Sequence, residues 1–318
     1  MENTMEKGLL QEETLRTIQS EGFVLAGFVG KRDANFRNWI GDWLQKGYHA
    51  DMHWLERNRA TREAPCTIES YGESIIAMAY PYRTQTPDIW KGGNPISNYA
   101  WGEDYHKVLK RKLQIILRKM SSRNPKFQGR GFVDSAPIPE KIVAVAGGLG
   151  WIGKNSMLLN RYWGSYLFLA EIVCNIPFRS TTAARNYCGS CTKCVDACPT
   201  GAIVGNAVID SNRCISYLTI EKKGAFTVAE KSSIQYQLFG CDICQQVCPW
   251  NRKQRAIPNS PFECFDRWLH LDLKRIDRLS ESEFDALKQK SPIKRITLKE
   301  LQRNADAVAE QNGPDGFD

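Results

Sequence analysis

The alternation of apolar and polar positions predicts a mixture of helices and strands through the first half of the chain. Residues 11–21 carry helical spacing and lead into a short apolar strand at 23–28. Phe36, Trp39, Ile40, Trp43 and Leu44 recur at the intervals of one helix face. Residues 74–80 form a continuous apolar run of buried-strand length, closed by Pro81 and followed by a Gly- and Pro-containing loop through Asn98. From Tyr105 to Met120, apolar positions 108, 109, 113, 116, 117 and 120 share one face, and strand patterns recur at 131–133 and 166–173.

These elements predict an α+β domain with α/β-like alternation over residues 1–178. At Pro177-Phe-Arg-Ser-Thr-Thr the composition shifts to Cys, Gly and Pro, which predicts a cysteine module over 179–255. A charged helical tail is expected over 256–318, with Ser280-Glu-Ser-Glu as a capping start. The ending Asn312-Gly-Pro-Asp-Gly-Phe-Asp reads as a frayed terminus.

Composition narrows the class. With 318 residues, 42% hydrophobic and 25% charged, the chain can bury substantial cores, which excludes disordered and collagen-like architectures. Residues 142–152, the most apolar stretch, are interrupted by glycines and fall short of the roughly 20 residues that span a bilayer. No secretory signal is recognisable, so a cytoplasmic location is expected. In that reducing compartment the 11 cysteines point to metal or redox chemistry, the more so because eight lie between Cys188 and Cys248.

Cys188, Cys191, Cys194 and Cys198 followed by Pro199 match the ferredoxin run C-x2-C-x2-C-x3-C-P, whose fourth cysteine ligates a second cluster. Cys241, Cys244 and Cys248 followed by Pro249 repeat the run, with Leu238 where the first cysteine would stand. Cys214 is the remaining cysteine of the module. The partition becomes Cys188, Cys191, Cys194 and Cys248 for one 4Fe-4S cluster, and Cys198, Cys214, Cys241 and Cys244 for the other. Zinc also accepts C-x2-C knuckles, but the repeated spacing and both Cys-Pro steps favour iron–sulfur. Cys66, Cys174 and Cys264 lie outside the pattern and read as small buried hydrophobes.

Gly148-Leu-Gly150-Trp-Ile-Gly153 spells G-x-G-x-x-G, with Glu171 near the distance of a ribose-binding acid, and through Lys154-Asn155 it misses a Walker A motif by one position. The residues after it carry a turn at Asn160-Arg-Tyr-Trp-Gly-Ser165 and predict a hairpin, whereas a dinucleotide site needs a helix there. The loop reads instead as one packed close against another large ligand. Lys107 to Arg130 holds nine basic residues (107, 110, 111, 112, 118, 119, 123, 126, 130) and no acid, and further basic groups recur at Lys222, Lys223, Arg252, Lys253, Arg255 and 288–303. A solvated helix face explains one such stretch; together, and with a net charge of +8, they suggest a phosphate-rich partner or an acidic electron donor.

The cysteine runs with Cys214 between them, Gly131-Phe-Val-Asp134-Ser-Ala-Pro137, Gly148-Leu-Gly-Trp-Ile-Gly-Lys-Asn-Ser156 and Tyr99-Ala-Trp-Gly-Glu-Asp-Tyr-His106 together resemble the epoxyqueuosine reductases of tRNA queuosine synthesis, over about residues 15–265. The resemblance implies a cobalamin-binding domain, a ferredoxin-like module with two 4Fe-4S clusters, and reductive removal of the epoxide oxygen from the modified wobble base. It implies kinship with reductive dehalogenases. Asp134 is implied as the proton donor and a cofactor contact. Expelling oxygen as an alkoxide is costly, and a carboxyl group relieves this near neutral pH where burial raises its pKa. The residues alone also allow Asp134 as a turn or cap carboxylate.

By the same resemblance Arg57, Ser97, Asn155, Ser156, Met157, Leu158 and Ser216 are cobalamin contacts, with the glycine loop cradling the corrin tail, and Lys222 and Lys223 are tRNA contacts. None of the histidines at 49, 53, 106 and 270 sits in a D-x-H-x-x-G pattern, in keeping with cobalamin held without a protein histidine on cobalt. The implied partners are tRNA carrying epoxyqueuosine and an external low-potential donor of ferredoxin or flavodoxin type; no membrane is involved, and a monomer is expected. Lys294-Arg-Ile to Leu301-Gln-Arg-Asn304 looks like the opening of the helical repeats in which family members commonly continue. The competing readings are a dehalogenase-like enzyme acting on a small molecule, and an electron carrier that leaves the first 178 residues without a task.

Overall fold

The computed structural model describes residues 2–37, 40–90, 93–252, 254 and 256–313, with the backbone alone at 2–8 and 90. It forms two compact units, one of Met1–Lys46, Trp54–Pro81 and His106–Cys191, the other of Gly47–His53, Tyr82–Tyr105 and Thr192–Asp318.

In the first unit β1 (Leu25–Gly30), β2 (Ser74–Pro81), β3 (Gly129–Phe132) and β6 (Leu167–Cys174) form one antiparallel sheet in the order β1-β2-β6-β3. The two central strands are β2 and β6, and all eight residues of β6 are buried. Both faces of these strands are covered, which explains why they read as unbroken apolar runs rather than alternating ones. Pro81 is the last residue of β2, where a missing N–H costs the ladder least. The helices are α1 (Glu2–Ser20), α2 (Gly41–Gln45), α3 (Arg59–Glu63), α4 (Tyr105–Arg123) and α5 (Glu140–Ala146). In α4 the predicted apolar face is the buried one, at Val108, Leu109, Leu113, Ile116 and Met120.

Two expectations change here. The helix sought over 36–44 shrinks to Gly41–Gln45, because the Phe36 amide donates instead to the Glu63 carbonyl at 2.7 Å; Trp39 lies outside the described residues. The basic stretch of α4 is also not a free stripe. Lys119 pairs with Glu21 at 2.6 Å, Arg123 with Glu13 at 3.2 Å, and Lys112 donates to the Glu21 carbonyl at 2.8 Å, leaving Lys107, Lys110 and Arg118 among the exposed basic side chains.

The hairpin expected after the glycine loop is present, as β4 (Trp151–Ile152) paired with β5 (Leu158–Leu159). A helix, α5, precedes the loop and none follows it, which removes the dinucleotide geometry. A Cβ on Gly150 would lie 2.0 Å from the Leu159 carbonyl oxygen, and one on Gly148, which has φ +76°, would lie 2.5 Å from that of Thr182. These glycines therefore answer to the chain's own close packing.

The second unit contains α6 (Lys193–Asp196), a ribbon of β7 (Ile203–Gly205) and β8 (Val208–Ile209), then α7 (Ile215–Ile220), α8 (Val228–Ser233), α9 (Ile243–Gln246), α10 (Asp266–Leu269), α11 (Leu273–Arg278), α12 (Glu281–Leu287) and α13 (Leu298–Asn312). Its core gathers Trp101, Leu218, Phe239, Trp268, Phe284 and Leu301. The internal likeness of the cysteine runs is structural. α6 lies between Cys191 and Cys198, α9 between Cys241 and Cys248, and the amides of Cys198 and Cys248 close equivalent turns on the Val195 and Gln245 carbonyls at 3.2 and 3.1 Å. Ser280 and Glu283 form the expected capping box at the start of α12.

Composition divides the chain at 178, whereas the compact units are interleaved. Residues 82–105 join the second unit through contacts such as the Trp268 indole donating to the Trp101 carbonyl at 3.0 Å, which contiguous composition cannot register. Lys253, Arg255 and 314–318 lie outside the described residues. Among the described residues no helix is long and apolar enough to cross a membrane.

Candidate functional site

The loop from β3 to α5 carries Asp134 in the left-handed region, at φ +44°, a conformation that aspartate tolerates better than most residues. Its side chain is 62% exposed, and Oδ2 lies 3.6 Å from His106 Nε2 on α4. The Asp134 amide donates to Glu140 Oε1 at 2.6 Å. Asp134 does not cap α5, since Pro139 occupies that position with no side-chain cap bond.

Behind this loop stands Glu171. It pairs in register with Phe132 of β3 and Ala77 of β2, is 0% exposed, and receives no hydrogen-bond donor on either carboxylate oxygen among the described residues. Its carboxylate faces that of Glu140 at hydrogen-bonding range. Burial, and then the Glu140 charge, push Glu171 well above the usual carboxylate range; burial, and then Asp134, push Glu140 up as well. Two carboxylates so placed favour holding a proton between them. The burial that an acid catalyst needs thus falls on Glu171 and in part on the half-buried Glu140, while Asp134 itself is open to solvent.

The second unit has a crowded thiol site. Burial comes first, and the neighbouring Cys214 and Cys198 thiols add to it, in pushing Cys241 up to about 12; burial with Cys241 and Cys214 pushes Cys244 well above the thiol range. Cys198 is lowered: burial opposes this, but the Thr200 hydroxyl and backbone amides, including Ala202 N–H at 3.3 Å, outweigh it. Cys198 and Cys214 are therefore neighbours of Cys241, and Cys241 and Cys214 of Cys244, with Cys194 of the other proposed set also close to Cys244. Crowded buried thiols with amide donors suit a multi-iron cluster, which takes them as thiolates. In the first unit the Trp151 indole N–H donates to Cys188 Sγ at 3.4 Å, and the Cys191 amide donates to the Cys188 carbonyl at 3.2 Å. Cys66 and Cys174 are buried packing residues, and Cys264 packs partly buried against the core.

The expected cobalamin contacts are dispersed. Arg57 is exposed, and Ser216 is half-buried on α7. Asn155 and Leu158 are buried at the β4–β5 turn, with Ser156 at φ +60° and its carbonyl accepting from Lys141 Nζ at 2.8 Å; Met157 is half-buried beside them. Ser97 is committed elsewhere. Its hydroxyl donates to Asp242 at 2.6 Å, as does the Asn98 amide, so both hold the loop between Cys241 and Cys244. One feature fits a large amide-rich ligand: the Asn98 side-chain oxygen is buried with no donor on it among the described residues. Lys222 pairs with Glu230 at 3.1 Å and Lys223 with Glu300 at 2.7 Å, the latter lysine remaining 64% exposed.

Sequence reasoning gave Glu140 and His106 no site role and Glu171 only a nucleotide-binding one. Their available signal was a single acid, Glu171, inside an otherwise apolar strand.

Residues 62–135 match the family model described as "Epoxyqueuosine reductase QueG, DUF1730", and 187–251 match "4Fe-4S double cluster binding domain". The epoxyqueuosine reductase of Leadbetterella byssophila is 38% identical over 274 residues, covering 84% of this chain and 87% of that protein. That of Cellulophaga algicola is 36% identical over 310 residues, covering 96% and 99%. A crystal structure of epoxyqueuosine reductase with a tRNA-Tyr epoxyqueuosine-modified stem loop superposes with TM-score 0.85 at 30% identity, covering 96% of this chain and 82% of that one. A Bacillus subtilis epoxyqueuosine reductase whose catalytic aspartate loop is swung out of the active site gives TM-score 0.86, also at 30% identity and the same coverage. With relatives of this identity aligned over most of both chains, the protein belongs to the epoxyqueuosine reductase family, a family of oxidoreductases.

Proposed function

We propose that this chain reduces epoxyqueuosine to queuosine at the wobble position of tRNA, using a bound cobalamin and two 4Fe-4S clusters. The observation that carries the reading is the joint presence, in a chain of this family, of the Asp134 loop backed by buried acids and of a thiol site suited to an iron–sulfur cluster. Removing an epoxide oxygen to leave an alkene takes two electrons and two protons and releases water. Bound cobalamin supplies the strongly reducing centre at which that carbon–oxygen bond is broken.

The chain's own residues supply placement and protons. Asp134 gives its carboxyl proton to the departing oxygen, and His106, 3.6 Å from Oδ2, orients the carboxylate that remains. Closure of substrate over the exposed Asp134 side chain would exclude water from it. Cys188, Cys191, Cys194 and Cys248 would hold one cluster and Cys198, Cys214, Cys241 and Cys244 the other, which would supply one-electron transfer from an external low-potential donor. Arg57, Asn155, Ser156, Met157, Leu158 and Ser216 would hold cobalamin, with Ser97 acting through the Asp242 loop. Lys222, Lys223 and the exposed face of α4 meet the tRNA backbone, which makes binding weaken as salt rises.

The test is reconstitution of the full chain with cobalamin, iron and sulfide. Retention of about one cobalamin per chain beside an iron–sulfur absorption, and conversion of epoxyqueuosine tRNA, are expected. Failure to retain cobalamin while the clusters load would favour an electron carrier, and turnover of a halogenated small molecule without tRNA binding would favour a dehalogenase-like enzyme.

A further inference from the structure

We infer that Glu140 and Glu171 act together as positioning residues for Asp134: one proton shared between their carboxylates keeps Glu140 seated beneath the 133–136 loop, where it accepts the Asp134 amide hydrogen. The inference rests on the reading of Asp134 as the proton donor. Its first support is geometric. Asp134 is held at φ +44°, and the bond from its amide to Glu140 Oε1, at 2.6 Å, is a hydrogen bond that fixes that conformation. A left-handed non-glycine residue persists where its surroundings over-determine it.

The second support is Glu171. A carboxylate with no exposure and no donor would be prohibitively costly as an isolated charge. A proton between the two acids removes that cost and supplies the missing hydrogen bond. The other ionisable groups facing the pair are Asp134 and His106. Of the strands packed on α5, β1, β4 and β5 contain no titratable residue. Strand β2 contains Tyr80, engaged with Phe23 and Lys112, and β6 adds Cys174, bonded to Ser74. Strand β3, paired with β6, contains Arg130, which is engaged with Glu69 at 2.9 Å, and the other strands contain no lysine or arginine; a shared proton is what offsets the charge that His106 does not.

Loss of that proton leaves two like charges in contact. Glu140 then withdraws from the Asp134 amide, and the loop is released. Amide hydrogen exchange of residues 133–136 in the full chain, corrected for intrinsic rates across pH, reads this directly. In the parent protein, protection should fall by about tenfold on the alkaline side. Glu171→Gln, whose amide N–H replaces the shared proton, should flatten that dependence. Glu140→Ala should abolish protection at every pH and lower kcat with little change in KM, and Glu140→Gln, which keeps an acceptor oxygen, should restore much of both. Should Glu140→Ala not fold, the two glutamine variants carry the test. The inference is overturned if Glu171→Gln keeps the parental pH dependence, or if Glu140→Ala leaves the Asp134 amide as protected as before. If exchange responds as stated while Glu140→Ala turns over normally, the clamp stands and the assignment of Asp134 as donor falls.

Discussion

Two sites in this molecule face the same electrostatic problem and resolve it differently. In the first unit, Glu140 and Glu171 crowd two carboxylates into a buried space; in the second, Cys198, Cys214, Cys241 and Cys244 crowd four thiols. Thiols in this arrangement accept a polynuclear iron centre, whose charge offsets their mutual repulsion and holds them as thiolates. The acids have His106 as their cationic neighbour among the described residues, and share a proton between them. The consequence is a difference in responsiveness: a cluster-bound site is indifferent to modest changes of pH, while a proton-shared site changes its charge, and with it the position of Asp134, within reach of physiological pH.

The strongest challenge to this comparison is aimed at the group that the acids serve. Asp134→Asn keeps the backbone amide that Glu140 holds but removes the transferable proton, so turnover should fall by at least about a hundredfold while cobalamin and iron contents stay at parental values. Near-normal turnover would detach the acid site from the chemistry. On the thiol side, Cys244→Ser should cost one cluster, lowering iron from about eight to about four atoms per chain, whereas Cys264→Ser, which removes a packing thiol, should leave iron content alone. Equal iron loss in both would show general unfolding and break the partition.

A gentler probe follows from linkage. The folded pair retains its proton to a higher pH than an unfolded glutamate, whose value lies near about 4.3. Its stabilising contribution is therefore complete in acid below that value and is lost as pH rises through the raised folded value. The slope is about 1.4 kcal/mol per pH unit for each proton retained. Thermal unfolding of the parent and of Glu171→Gln across that interval should show the parent losing stability with rising pH and the variant losing less. Parallel curves would mean that the pair holds no extra proton.

The two sites also differ in how far the sequence exposes them. Cluster ligation demands short fixed separations, so Cys188 to Cys198 and Cys241 to Cys248 announce themselves, and Leu238, where a cysteine would complete the second run, is a buried core residue. The strands were legible for a similar reason, because buried strands such as β2 and β6 need continuous apolar runs; their antiparallel order was not. The acid site is assembled from positions 106, 134, 140 and 171, whose proximity is created by sheet register and helix packing. No local period encodes that. The glycine loop shows the converse: its spacing is conspicuous as a nucleotide signature, yet Gly148 and Gly150 are explained by the close approach of the Thr182 and Leu159 carbonyls. Interleaving of residues 82–105 with the second unit was hidden because composition is read along the chain.

The smallest effect expected falls on the other proposed cluster, the one that Cys188 would ligate, and tests whether cluster ligation as such is indifferent to pH. Trp151, buried within the glycine loop, directs its indole N–H at Cys188 Sγ over 3.4 Å. A hydrogen bond to a ligating thiolate withdraws electron density and favours the reduced, more negative state of the cluster. Trp151→Phe removes the donor with little change in packing volume, so the potential of the cluster that Cys188 ligates should become more negative by on the order of tens of millivolts, the equivalent of one modest hydrogen bond. An EPR-monitored redox titration of the loaded variant resolves such a shift. Because no proton equilibrium is involved, the shift should be the same at pH 6 and pH 8 within about the error of the titration, in contrast to the exchange behaviour of the Asp134 loop. A shift that itself varied with pH would place a titrating group beside the cluster and remove the distinction between the two sites.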